Sequence, residues 1–188
     1  MSKQNIGPQA FVLPMAVSLL GTVVNGKPNF MALGWLTRVN FKPPLIGIGV
    51  GQSHRTHRAI EETGEFSLSF PRRSQLVETD YAGLVSGAHT DKSALFEVFH
   101  GELKNAPMIK DAPYAMECRL TQAVPLPTNT FFIAEIVNAY CDEDCIKDGA
   151  VDPERAEPFM LTMPDNRYWS LGPSIGRAWH DGKTLKKS

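Results

Sequence analysis

The stretch Ser53-His54-Arg55-Thr56-His57-Arg58 gathers hydroxyl, guanidinium and imidazole groups at the start of a helical pattern. A helix start carries backbone N–H groups without intrahelical acceptors and a partial positive charge, so it holds anions, phosphate above all. Arginine adds a forked donor set that matches phosphate oxygens. The same residues also suit a solvated helix start with surface arginines. A second polar set, Trp35-Leu36-Thr37-Arg38, lies upstream. Between the two runs Gly47-Ile48-Gly49-Val50-Gly51. Successive strand residues face opposite sides, so the glycines leave one face bare while Ile46, Ile48 and Val50 cover the other. Such a face marks a barrel corner, or the close approach of a planar ligand or a helix. An anion at the helix start and a flat group on the glycine face describe a nucleotide-like cofactor.

Other sites are excluded by spacing. The glycine run lacks the third glycine of a dinucleotide fingerprint, and its glycines lie inside a strand rather than in a strand-to-helix turn. Gly182-Lys183-Thr184 has its upstream glycine, Gly176, one residue too far away for a phosphate loop, with no helix to follow. Cys141 and Cys145 are too far apart for a redox dithiol or zinc pair and read as a surface turn. His89 and His100 read as loop or surface residues. There is no nucleophile elbow, metal-binding helix motif or Ser/His/Asp set, so no catalytic side chain is assigned. If the chain is an enzyme, a cofactor carries the chemistry.

These residues need a scaffold, and 188 residues are enough for one domain, residues 1–188, with an ordinary core: hydrophobic residues make up 43%. A net charge of −1 argues against a broadly basic nucleic-acid binder. No apolar run reaches the length of a membrane helix. The apolar stretch 11–24 is broken by Pro14 and Ser18 and runs into a turn, so it reads as a strand rather than a signal peptide. Three cysteines, an odd and sparse set, fit a reducing cytoplasm.

Strands are expected at 15–24, 29–41, 45–51, 66–70, 115–124 and 131–140. Asn25-Gly26 supplies turn residues after the first, and Pro43-Pro44 separates the second from the third. Helices are expected from Ser53 to Glu62, capped by Ser53 or Thr56 and stopped by Gly64, and from Ser74 to Leu84. A short helix is expected from Thr90 or Asp91 to Phe99. Asp148-Gly149 marks a turn and 153–158 a proline-bounded excursion. The fold class is mainly β with helical insertions, a barrel or sandwich rather than a doubly wound sheet.

The chain resembles the flavin reductase-like proteins with the FMN-binding split-barrel fold, and most closely their flavoredoxin branch. The resemblance covers roughly residues 12–182. It rests on ordered pieces: Gly26-Lys27-Pro28-Asn29, Trp35, Pro43-Pro44, Thr56 with Ile60, and Gly64-Glu65-Phe66 with Ser69-Phe70-Pro71. Further on come Asp80-Tyr81-Ala82-Gly83, Ser86-Gly87, Asp91-Lys92, Phe132-Ile133-Ala134-Glu135-Ile136 and Tyr168-Trp169-Ser170-Leu171-Gly172. It implies a six-stranded antiparallel Greek-key barrel, a homodimer, and noncovalent FMN near the dimer interface. By the family pattern Asn29, Phe30, Met31 and Ala32 lie along the isoalloxazine edge. Trp35, Leu36, Thr37 and Arg38, with Ser53, His54, Arg55 and Thr56, surround the ribityl phosphate, and Lys92 reaches the flavin. Branch members often carry Arg-Tyr before the threonine where this chain has His54-Arg55, so the phosphate contact stays open among His54, Arg55 and Arg58.

The implied function is an FMN-dependent oxidoreductase. It is either an NAD(P)H-linked flavin reductase or an electron carrier serving a redox protein partner, with no nucleic acid or membrane involved. A non-catalytic flavin- or heme-binding module is the alternative, and a cofactor-free interaction domain is the plainest one.

Overall fold

The protein is described by a computed structural model covering residues 2–87 and 90–185. Asn25 and Gly26, at φ 51° and 74°, turn the chain between strands β1 (Ser18–Val24) and β2 (Lys27–Leu33). Five more strands join the same antiparallel sheet: β3 (Leu36–Asn40), β4 (Leu45–Gly51), β5 (Glu65–Phe70), β6 (Tyr114–Pro125) and β7 (Asn129–Cys141). Their order across the sheet is β2-β1-β5-β6-β7-β4-β3. The two edge strands are consecutive in the chain, separated only by Gly34 and Trp35, so the sheet curls back on itself as a split barrel. Six strands become seven because the extended stretch 29–41 breaks at Gly34-Trp35, where the chain passes from one sheet edge to the other.

Helix α1 (Arg55–Thr63) closes one end of the barrel through Ile60. It stops at Gly64, which has φ 65° and whose N–H returns to the Ile60 carbonyl at 2.8 Å. Helix α2 (Leu76–Leu84) follows a 3₁₀ turn at Arg73–Gln75 and lies against β2. Inside the barrel Leu20, Ile48, Phe66, Leu68, Phe132 and Ala134 form the core. Leu19 and Phe30 face the other way and meet Ala82 of α2 and Ile109, so β1 and β2 are buried on both faces. No helix among the described residues is long and apolar enough to cross a membrane.

Three expectations change. No helix forms from Thr90 or Asp91 to Phe99. The Asp91 carboxylate accepts from the Ser93 N–H, Leu95 and Phe96 pack on the Phe30 cluster as neighbours, and Val98–Phe99 pair with Met108–Ile109. The Cys141–Cys145 stretch turns as expected, through a 3₁₀ turn at Glu143–Cys145 directly after β7, but it is not wholly a surface turn because Cys145 is buried. After it, an unforeseen hairpin forms from β8 (Phe159–Thr162) and β9 (Arg167–Ser170), with Met15–Ala16 added beside β8. The Tyr168 hydroxyl donates to Asp80 on α2 at 2.9 Å, tying this hairpin to the helix. Burial first, and that bond second, push the Tyr168 hydroxyl up to about 12. The excursion at 153–158 contains the one-turn helix α3 (Pro153–Ala156). His100 is an exposed loop residue as expected, and His89 lies outside the described residues.

Glu117 on β6 is fully buried and its carboxylate accepts four hydrogen bonds. These come from Glu102 N–H (3.0 Å), Leu103 N–H (2.7 Å), Asn138 Nδ2 (2.8 Å) and the Tyr140 hydroxyl (3.0 Å). Burial pushes its pKa up, but the four donors outweigh burial and hold it below its ordinary 4.5. The folded state therefore binds fewer protons than the unfolded one just below pH 4.5, so stability falls as pH drops through that range. Glu117→Gln turns an N–H toward these donors and should cost about 1–3 kcal/mol at neutral pH. Thermal unfolding between about pH 3 and 7 checks this: the difference between the two proteins should narrow at the acid end.

Candidate functional site

Helix α1 begins at the end of the glycine strand β4. His54 occupies its N-cap with φ −78° and ψ 140°, its side chain makes no capping bond, and the first turn holds no acidic residue. Ser53 and Thr56 were the expected caps; Ser53 is exposed, while Thr56 is buried and turned to another partner. The positive end of the helix is thus left without a carboxylate to neutralise it.

That partner is Asn29 of β2, whose Nδ2 donates to Thr56 Oγ1 at 3.1 Å. A Cβ on Gly87 would collide with Asn29 Oδ1, so a side chain at residue 87 would have to displace this amide. Thr22 lies directly across the β1–β2 ladder from Asn29. Its buried hydroxyl has no hydrogen-bond partner among the described residues. A buried unpaired hydroxyl is costly, and it fits a polar cluster shaped for a further polar group. Arg55, half-buried, reaches the turn residue Asn25 at 3.4 Å.

Beside this cluster lies a cavity of about 300 Å³ whose lining includes Asn25, Lys27, Asn29, Gly87, Asp91 and Lys92. Lys92 is buried, and its ammonium donates to the Ala82 and Val85 carbonyls, both at 3.1 Å, at the C-terminal end of α2. Cations suit that end of a helix. Burial lowers the Lys92 pKa from its ordinary value. Two of the ammonium's three donors are therefore used on α2, which anchors Lys92 at the cavity wall rather than extending it across. Lys27 and Asp91 pair at 2.7 Å on the rim. The hydrogen bond from Lys27, and then those from Ser93, hold the Asp91 carboxyl well below the usual carboxylate range. The pair is solvent-exposed and adds little stability.

The glycine face is not bare. Phe131 covers Gly47, Trp35 covers Gly49 and His54 covers Gly51, so this chain's own rings take the place expected for a planar ligand or a helix. Beyond them an open groove of about 580 Å³ remains, bordered by Trp35, Leu36, Thr37, Leu126 and Phe131. Gly49 and Gly51 stand two residues apart on one face, which sets Trp35 and His54 side by side, about 6–7 Å apart along the strand. The expected site residues thus fall into two neighbouring groups. Asn29, Arg55, Thr56 and Lys92 gather at the helix start and the smaller cavity, while Trp35, Leu36 and Thr37 border the groove, with His54 over the neighbouring Gly51; Ser53 is exposed just before the helix.

The others stand apart. Phe30 is fully buried against Phe96, so only its backbone is available to a ligand. Met31 packs against the barrel core and Ala32 against Gly83 of α2. Arg38 bonds the Asn40 carbonyl at 2.8 Å and lies over the Phe41 ring, away from the helix start. Arg58 is exposed and paired with Glu62 at 2.7 Å, which leaves Arg55 as the arginine turned toward the cluster. Sequence reasoning did not assign Thr22, Lys27, Gly87 or Asp91 to the site. Lys27, Gly87 and Asp91 stood inside motifs already singled out, whereas nothing in the sequence distinguished Thr22.

Together these features define an antiparallel β-barrel protein with a polar, anion-suited helix start at the end of a glycine strand. The chain belongs to the flavin reductase-like family: the family's domain, described as flavin reductase like, matches residues 11–165. Flavoredoxin from Methanosarcina acetivorans is 49% identical and superposes with a TM-score of 0.97 over 99% of this chain and 100% of that one. Flavoredoxin of Desulfovibrio vulgaris (Miyazaki F) is 30% identical, with a TM-score of 0.89 over 96% of this chain and 100% of that one. An uncharacterised protein from Archaeoglobus fulgidus is 31% identical over 154 residues, 81% of this chain and 86% of that protein.

Asn29→Ala leaves Thr56 Oγ1 without its donor and should destabilise the protein by about 1–3 kcal/mol. Gly87→Ala should do at least as much, because its new methyl displaces Asn29 from Thr56. Urea unfolding of the three proteins measures both; an unchanged midpoint for Gly87→Ala would contradict the packing described.

Proposed function

We propose that this chain binds FMN noncovalently and works as a redox protein. The observation that carries this is the start of α1: no carboxylate in its first turn, Arg55 beside it, and Thr56 fixed by Asn29 next to a cavity. The phosphate sits at this helix start, with Arg55 as its charged partner and the Thr56 hydroxyl as a neutral one. Asn29 sets the orientation of Thr56, and the unpaired Thr22 hydroxyl lies behind it. Bound FMN supplies the redox chemistry, accepting a hydride or electrons and passing them on.

The residues of this chain bind and orient. Lys92, locked to α2 by two carbonyls, has one N–H left for a ligand in the cavity and sets positive charge there, which favours negative charge on a reduced ring. Trp35, half-exposed above Gly49, shields the groove side from water. The protein acts as a homodimer in the cytoplasm; three cysteines, an odd and sparse set, support a reducing compartment. Electrons come from NAD(P)H or from a redox protein partner.

The absorption spectrum of the purified protein, with any released cofactor identified by mass, gives the first check. Flavin bands and released FMN are expected. Arg55→Ala and Thr56→Ala should each weaken FMN binding by about 5- to 150-fold. Flavin titrations unchanged in both variants would remove the phosphate from the helix start. Nicotinamide oxidation with and without added free FMN separates a reductase that releases its flavin from a carrier that keeps it.

A further inference from the structure

After β9 the chain leaves the barrel and closes into a hook held by one carboxylate. Asp181 accepts from the Arg177 N–H at 2.8 Å and pairs with His180 Nδ1 at 2.8 Å, and its carbonyl accepts from the Thr184 hydroxyl at 2.9 Å. A 3₁₀ turn, Asp181–Leu185, completes it. This folded piece turns its apolar side chains to water: Ile175 is 100% exposed, Trp179 95% and Leu185 85%. Trp179 also holds φ +58°, a left-handed conformation that a bulky residue adopts only under constraint. None of the described residues covers the indole.

The same chain carries an uncovered seat. Two grooves meet at Trp35, Leu36 and Thr37: one of about 580 Å³ bordered by Leu126 and Phe131, the other of about 620 Å³ bordered by Phe11 and Val12. No charged residue lines either one. Trp35 and Leu126 are about half exposed, at 50% and 49%, and Val12 is at 81%. A band this rich in exposed apolar side chains, though Gln9, Thr37, Thr128 and Asn129 also line it, marks an interaction site. The hook's Ile175, Trp179 and Leu185 and the Trp35 band are all left uncovered by the described residues of one chain.

We propose that the hook seats on the Trp35 band of a second copy, with Trp179 entering the groove between Trp35 and Leu126. The exchange is reciprocal, as two-fold symmetry requires: each copy offers one hook and one band. It brings the partner's Trp179 beside Trp35 and the glycine strand, so the groove side of each site is completed by the other chain. The inference rests on the dimer included in the proposed function.

The test follows the fluorescence of Trp179, taken as the difference between the protein and Trp179→Phe, across a dilution series whose assembly state is measured by sedimentation. A blue-shifted component in the dimer that moves to the emission of water-exposed indole as monomers appear is expected, with dimer dissociation at least about tenfold stronger in Trp179→Ala. Water-like emission in a proven dimer overturns the hook exchange and leaves the dimer standing. A blue shift that ignores dilution places the indole on its own chain and also overturns it. Monomer at every concentration overturns both the exchange and the dimer, while the flavin spectrum reports separately on cofactor binding. In a Cys141→Ser background, a Trp179→Cys chain mixed with a Leu126→Cys chain and oxidised with diamide should give a disulfide-linked pair. A pair formed with Val12→Cys in place of Leu126→Cys, or no mixed pair at all, contradicts the proposed seat.

Discussion

The site is organised around one carboxamide. Asn29 stands on a strand of the barrel wall, donates to Thr56 at the start of α1, and fills the space that Gly87 leaves empty in the 86–92 loop. Three segments distant in sequence meet at this side chain. A hydrogen bond of this kind contributes only about 1 kcal/mol net, but losing one of its buried partners costs more. A shift of the helix start would unpair Asn29, and a side chain at residue 87 would push the Asn29 amide out of its place. Lys92 extends the same construction by tying the far end of that loop to the last carbonyls of α2.

The barrel makes this arrangement possible by bringing its two edges together through two residues. Gly34 and Trp35 carry the chain from β2 to β3, and Trp35 then lies over Gly49. The glycines of β4 follow from this packing: Phe131, Trp35 and His54 each occupy the space a Cβ would need or crowd. A strand with one such face gives the curled sheet a layer of rings in place of side chains of its own. Helix α1, which has His54 as its N-cap, inherits its position from that layer. The electrostatics agree, because the first turn of α1 bears no acid and the Asp91 carboxylate on the cavity rim is already paired with Lys27.

Much of this was legible in the sequence. The strand pattern, the Asn25-Gly26 turn, the stop at Gly64 and the helix beginning near Arg55 follow from local chemistry and stand in the structure. Motif order gave the family. The split of 29–41 at Gly34-Trp35 was not legible, because it reflects where the two sheet edges meet and not any local preference. Nor was the fate of the glycine face: alternation shows that it is bare, and only the fold shows whose rings cover it. The polar run Trp35–Arg38 reads as one unit along the chain, yet Arg38 turns to Asn40 and Phe41. The family pattern extends Lys92 to the flavin, yet α2 claims two of its donors. Thr22 carries no signal at all, since an unpaired hydroxyl exists only once its neighbours are placed.

The central claim is that the helix start of α1 binds a phosphate. Titrating the flavin-free protein with FMN and with riboflavin, which lacks the phosphate, tests it most directly. Charge-assisted hydrogen bonds at that position predict that FMN binds more tightly by at least about tenfold, and that Arg55→Ala narrows the difference. Equal affinity for the two flavins would contradict the account.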